Sequence, residues 1–340
     1  MAKRQNSILK IQRLRIRESE KRRDAARANA LPRLSNESSL LYNSQLQNVA
    51  IHRAFLGVLP QLGPVPSQDL RLLQGANTFG LSMTTLAQPL TPLSRIHAGT
   101  RAAEQDVRMA EEESRRAANE ITLKVQEAFL GALLLERRIA AARLKAAAAE
   151  AVRADAAHAV ESGAALDVRL MEADARLLEA KNALLQLEIK RADLVAELAD
   201  LIGFGPGVQL ELVPSPWSPP DPGPLDAQVQ RALERNPEVK AAEAAVEKAR
   251  RAVRAAQAEF IPDIALFATH AQQRGVPFLP SSNAAIGARM SWDVFDGGRK
   301  RAQAGERRAQ LEQAEENLRR VRRRVQIEVE KARRKVERFE

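Results

Sequence analysis

The 340-residue chain contains no cysteine. Within these residues, disulfides, thiolate nucleophiles and a lipidated cysteine are therefore excluded. Aromatic residues make up only 4%, and the Ala-rich, charge-rich composition suits long helices better than a compact globule. No apolar run of about 18 residues occurs, so no helix can cross a bilayer, although a β-barrel span built from short alternating strands stays open. The segment after Met1 has no uninterrupted apolar stretch, because Lys10 and Arg13 break it, so no secretory signal is visible. No HExxH, phosphate loop or nucleophile elbow is present. The GFGPG run beginning at Gly203 lacks the Lys-Ser/Thr ending of a phosphate loop and follows a helical stretch. His52, His97, His158 and His270 are scattered without metal-ligand spacing. The sequence predicts no enzyme, no cofactor and no metal.

What is present is a duplication. Residues 110–129 read AEEESRRAANEITLKVQEAF, and residues 314–333 read AEENLRRVRRRVQIEVEKAR. Glu111, Glu112, Arg115 and Arg116 fall on Glu315, Glu316, Arg319 and Arg320 at an offset of 204. Upstream, Asp24–Pro32 aligns with Arg254–Pro262 at an offset of 230, so the first copy carries 26 more residues between its matched blocks. A repeat this long is a duplicated half-protein, not a short solenoid unit.

The formal net charge is +10, and its placement is uneven. Residues 1–30 hold 10 Lys/Arg against 3 Asp/Glu, and residues 299–340 hold 15 against 8. Such arms suit nucleic acid, but base-stacking aromatics are nearly absent from them. They read as solvated helix faces carrying i,i+4 pairs such as Glu111–Arg115, and no nucleic-acid partner is expected.

The first copy, 1–203, reads as a partial leading helix up to Pro32, a strand pair within 31–92, a long helix over 93–160, a tip at 161–168 and a return helix over 169–203. Ile121, Val125, Ala128, Ala132 and Leu135 form the apolar stripe of the long helix, which at about 1.5 Å per residue would extend roughly 100 Å. At the tip, Gly163 suits a left-handed position and Asp167 complements the dipole of the return helix. Residues 204–224 form a Pro-rich linker. The second copy, 225–340, has a leading helix over 237–260, a strand pair within 261–296 and the start of a long helix over 297–340. Asn236 is placed to cap that leading helix, with Pro237 in the first helical position.

The clearest strand is 286–294. Ile286, Ala288, Met290, Trp292 and Val294 alternate with Gly287, Arg289, Ser291 and Asp293, the period of a strand with one apolar and one polar face. In the first copy Phe79, Leu81 and Met83 alternate with polar or small residues. The 204 offset sets Met83 on Gly287, which belongs to the opposite face. Either a bulge lies between Met83 and Pro92, or the outward face of that strand is not the one its apolar residues suggest.

Three segments together resemble the TolC-type outer-membrane efflux family. They are NPEVKAAEAAVEKARRAVRAAQAEFIPDI (Asn236–Ile264), SWDVFDGGRKRAQ (Ser291–Gln303), and the tip with its return helix, Glu161–Gly203. The first copy has Leu93-Ser94 where the second has Gly297-Gly298. The resemblance covers nearly the whole chain. It implies a mainly α fold with short β. Long coiled-coil hairpins and four strands per chain would contribute to a trimeric, 12-stranded outer-membrane barrel above a periplasmic helical tunnel. It further implies a homotrimer in the outer membrane lipid, acting as a passive exit duct with a periplasmic adaptor protein and an inner-membrane transporter. Measured against the family, the chain reads as truncated at both ends, without a signal peptide and short of about 67 residues of the second hairpin.

Under that resemblance the adaptor-docking tip is Gly163, Ala164, Ala165, Leu166, Asp167 and Val168. Arg289, Ser291 and Asp293 are expected in the barrel lumen, and Ile286, Met290 and Trp292 on the lipid face. The rivals are a periplasmic adaptor subunit and a soluble coiled-coil scaffold. Duplication of the strand-plus-rod unit argues against the first. Pro32, Pro89, Pro92, Pro262 and the 286–294 alternation argue against the second.

Overall fold

The computed structural model describes residues 5–42, 44, 49–72, 77–205, 207–208, 210–214, 223–274 and 280–338. Much of the expected Pro-rich linker, 204–224, lies outside these. The element order is α1 (Ser7–Ala28), β1 (Arg33–Tyr42), β2 (Val49–Ile51), β3 (Val58–Leu59), β4 (Gly63–Pro64), β5 (Leu70–Leu72), β6 (Thr78–Pro89), α2 (Leu93–Glu161), α3 (Asp167–Ile202), α4 (Leu225–Arg235), α5 (Pro237–Ala258), β7 (Asp263–Arg274), β8 (Ser282–Ser291) and α6 (Arg299–Val336). The described residues are mainly helical, with short β. Helix α4 has no counterpart in the sequence reading. Two compact units form. One, helical, is Met1–Glu20, Asp106–Ala245 and Glu316–Glu340; the other, containing the sheet, is Lys21–Gln105 and Val246–Glu315. Each draws on both copies of the repeat.

In the helical unit α2 and α3 form an antiparallel hairpin. Ile121, Ala128 and Leu135 recur every seven residues, as do Ala132, Ile139 and Ala146, and all are buried. The two series interleave at spacings of three and four, the seam of a coiled coil. Alanine at so many seam positions lets the backbones approach. A methyl group on Gly131 would already stand 3.7 Å from Leu194. Cross-helix pairs Arg143–Glu188 (2.9 Å), Arg153–Asp174 (2.9 Å) and Lys181–Glu150 (3.5 Å), with Arg191–Glu136, run the length of the hairpin. Exposed pairs of this kind add little stability, but in sequence they step in opposite directions and so match the antiparallel register.

Two asparagines start the two leading helices. The Asn236 carboxamide oxygen accepts from the N–H of Glu238 (2.7 Å) and of Val239 (3.4 Å). Asn6 does the same for Ile8 (2.9 Å) and Leu9 (3.3 Å). The two are 230 residues apart, the upstream offset of the repeat. The helices have the same length, 22 residues, and each buries the apolar residue three positions after its cap, Leu9 and Val239. Asn6 does more. Its Nδ2 donates to the Leu201 carbonyl at 3.0 Å, inside the end of α3. There Gly203 ends α3 at φ 92°, and a Cβ on it would lie 2.8 Å from the Gln5 backbone. Both a left-handed turn and a close approach require glycine at this position.

In the sheet unit four strands pair antiparallel in the order β1-β6-β7-β8. The short strands pair only among themselves, β2 with β5 and β3 with β4, within the longer connection of the first copy. Directly opposed residues share a face. Met83 pairs with Ala271, Phe267 with Ala87, and Gly287 with Phe267, in registers without interruption. Met83 and Gly287 therefore do share a face, without a bulge. The apolar residues Phe79, Leu81 and Met83 lie on the face of Arg289, and Leu86 lies on the other.

Replacing Asn236 by Ala is expected to cost about 1 kcal/mol, the usual loss of an N-cap. Asn6→Ala should cost more, by about 1 kcal/mol, because it also leaves the buried Leu201 carbonyl without its partner. Urea unfolding of the two variants side by side measures the difference; equal losses would mean that the bond to α3 contributes nothing.

Candidate pore face and hairpin tip

The sheet sorts its side chains by face. One face carries Leu34 and Leu40 on β1, Leu86 on β6, Ile264 and Leu266 on β7, and Ile286 and Met290 on β8. All but the half-buried Ile264 are exposed in the single chain: Leu34 is 70% exposed, Ile286 88% and Met290 65%. The other face carries Arg33, Glu37, Asp263 and Arg289. Sequence alternation thus extends from β8 over all four strands, with Ile286 and Met290 on one face and Arg289 and Ser291 on the other. It overran the strand end, however. β8 stops at Ser291, so Trp292 and Asp293 stand in the turn that follows. Asp293 there lies near Arg299 (3.6 Å) and Lys300 (3.7 Å) of α6.

The apolar face also carries polar groups, among them Arg274 at the far end of β7 and a hydrogen-bonded patch. Asn36 Nδ2 donates to Ser82 Oγ (3.1 Å) and Thr84 Oγ1 (2.8 Å), and Ser38 Oγ donates to Asn36 Oδ1 (2.8 Å). His270 and Ser282 share a bond of 3.0 Å nearby. Groups that satisfy one another in this way lower the cost of facing an apolar medium. On the charged face the Arg289 guanidinium lies 5.3 Å from the centre of the Phe267 ring, a cation–π arrangement. The ring in turn covers Gly287, where a Cβ would meet it at 3.1 Å.

Where strands give way to helices, Leu31, Phe260, Ile261, Trp292, Val294 and Phe295 are all exposed. Trp292 and Val294 were named from sequence. Leu31 and Ile261 are 230 residues apart, so the repeat offset was the signal available for that pair. The two strand-to-helix turns differ. In the first copy three residues separate β6 from α2, tied by Thr91, which donates to the Pro262 carbonyl (2.6 Å) and accepts from the Ile264 N–H (2.7 Å). The second copy uses Gly297 and Gly298 at φ 67° and 88°. Asp296 precedes them and accepts from the N–H of Gly298 (3.0 Å) and Lys300 (3.0 Å). The Lys300 N–H above all, with that of Gly298 and the Arg299 and Lys300 charges, holds its carboxyl below the ordinary value.

At the tip, Gly163 adopts φ 73°. The Ala164 and Ala165 N–H groups donate back to the Ala159 carbonyl at 2.8 and 3.0 Å, closing the end of α2. Leu166 caps α3 in an extended conformation without a side-chain bond, and Asp167 is the first helical residue. Asp167 therefore acts on the helix dipole and not as a cap. Ala165 is half-buried, whereas Leu166 (78% exposed), Val168 and Met171 stand in solvent. Met171, one turn beyond Val168, was not marked in the sequence reading. Among the described residues no three His, Cys, Asp or Glu side chains gather to hold a metal, and no helix is long and apolar enough to cross a membrane.

A sheet apolar on one face and charged on the other, with an exposed apolar collar at one end, separates water from an apolar medium. Solved structures share this fold. A membrane protein from Pseudomonas aeruginosa matches with TM-score 0.70 and 20% identity over 98% of this chain and 73% of its own. CusC, described for its folding and transmembrane channel formation, matches with TM-score 0.75 and 18% identity over 97% and 71%. The outer membrane protein VceC from Vibrio cholerae matches with TM-score 0.71 and 18% identity over 95% and 74%. No curated protein sequence matches significantly. The profile of the family described as outer membrane efflux protein matches residues 1–204 and 228–338, and the chain belongs to that family.

Because the folded pKa of Asp296 is lowered, its contribution to starting α6 is present above about pH 4, the ordinary aspartate value, and is lost as pH falls through the lower folded value. Amide exchange at Gly298 and Lys300, taken relative to intrinsic rates, should lose protection only in that acid range. Protection that survives below it, or the same acid-dependent loss in Asp296→Ala as in the unaltered protein, would exclude the cap as the cause.

Proposed function

We infer that the protein is the wall element of an outer-membrane exit duct, working passively for solutes delivered by an inner-membrane pump through a periplasmic adaptor. The observation that carries this reading is the open four-stranded sheet. Among the described residues its edge strands β1 and β8 each have one unpaired side, and in lipid every backbone donor and acceptor must find a partner within protein. Pairing β8 of one copy with β1 of the next meets that need, and three copies give twelve strands, an even number within the range of outer-membrane barrels. Ile286 and Met290, with Leu34, Leu86 and Leu266, then face lipid. Trp292 and the apolar collar sit at the headgroup boundary, where such side chains anchor. Arg289 and Ser291 face the lumen, and Asp293 lies at its helical end. The helical unit stands in the periplasm, and family membership supports that placement. The hairpin tip, Gly163–Val168, offers small and apolar exposed side chains for close packing against an adaptor.

Extraction in detergent followed by size exclusion with light scattering tests the assembly. A detergent-requiring trimer from the outer membrane is expected; a soluble monomer or dimer would return a coiled-coil scaffold to first place. For the tip, Leu166→Glu with Val168→Glu should leave the trimer intact and abolish export of a fluorescent dye from cells. Undiminished export would remove the tip from the docking surface.

A further inference from the structure

We propose that the duct prefers anions, and that Arg33 and Arg289 on the charged face of the sheet set that preference. The inference rests on the duct reading above. The sheet unit holds 20 Lys and Arg against 12 Asp and Glu, so it carries +8 of the chain's net +10. The positive charge therefore surrounds the sheet and the helix stems that lead into it, instead of being spread along the chain.

Within the sheet the placement is more specific. The charged face carries two arginines and two carboxylates. Asp263 is already matched, by Arg95 at 3.2 Å. Glu37 lies four residues along β1 from Arg33, about 13 Å away at the rise of a strand. Arg33 is the first residue of β1, and Arg289 is two residues from the end of β8, so both stand at the end of the sheet nearest the helices. Arg289 is held down on the face by the Phe267 ring, which keeps a fixed positive charge against the wall. The two arginines also occupy the two edge strands. Closing the barrel brings the β8 of one copy beside the β1 of its neighbour. Each seam then combines an Arg289 with the neighbour's Arg33, and three seams give a belt of six guanidinium groups. Rings of arginine or lysine are the means by which pores select anions and phosphates. A low-dielectric wall focuses such a field across the water it encloses. The solutes favoured would be small organic or inorganic anions.

The test uses the purified trimer in planar bilayers under a potassium chloride gradient. The sign of the reversal potential should report chloride passing over potassium by a few-fold. Arg33→Glu with Arg289→Glu should reverse that sign. Arg274→Glu, which puts half that charge change on the opposite face, should leave the sign unchanged. If the double variant does not assemble, Arg289→Gln alone should at least lower the chloride preference. Potassium preference in the unaltered trimer overturns the inference and leaves the duct standing. A chloride preference that ignores Arg33 and Arg289, or one that Arg274 governs equally, overturns the assignment to these residues. A verified trimer that does not conduct overturns the duct reading itself.

Discussion

The unsatisfied backbone of two strands governs the rest of this structure. Among the described residues, β1 and β8 each present one row of N–H and C=O groups that no other strand meets. In water such an edge invites aggregation, and in lipid it is not tolerated. Every other feature of the sheet agrees with an edge that is completed by another copy. The strands are of nearly matched length, 10 to 12 residues, so pairing can continue from copy to copy. Ile286, Met290, Leu34 and Leu266 share one face, and an exposed apolar collar lies at the helical end of the sheet.

The helical unit solves a different problem with different residues. There the backbone satisfies itself, and what must be specified is distance and direction. Alanine in the seam of the α2–α3 hairpin sets the distance. The asparagine caps and Gly203 set the direction, by determining where helices begin and how closely their ends meet. Charge has little part in this packing. Most ion pairs lie on the surface, where they match the register of neighbouring helices without contributing much stability.

The helices were legible in the sequence because their signals are local. Apolar spacing, Asn236 with Pro237, and Gly163 and Gly203 each speak for themselves, and the boundaries fall within a few residues of those read from periodicity. The alternation of Ile286 to Ser291 was equally local. What failed was whatever depends on pairing. The face of Met83 could not be fixed until its register with β7 was known, since a shift of one residue exchanges the faces. The alternation through Asp293 was misleading because the turn that ends β8 keeps the same pattern of residue types for a few positions more. The partner of Asn6 lies 195 residues away, beyond any window of sequence. Its cap role, by contrast, was within reach, since the repeat offset leads from Asn236 directly to Asn6.

That long contact has a kinetic side. Asn6 can start its helix alone, but its bond to Leu201 exists only once the whole α2–α3 hairpin has been synthesised and has closed back on itself. Contacts so distant in sequence are slow to form, because the entropy of closing the intervening chain must be overcome before any of them contributes. The hairpin itself, zipped from Gly163 outward through neighbouring turns, needs no such wait. The start of α1 is therefore fixed against α3 only after that hairpin has closed, although its own cap can form at once.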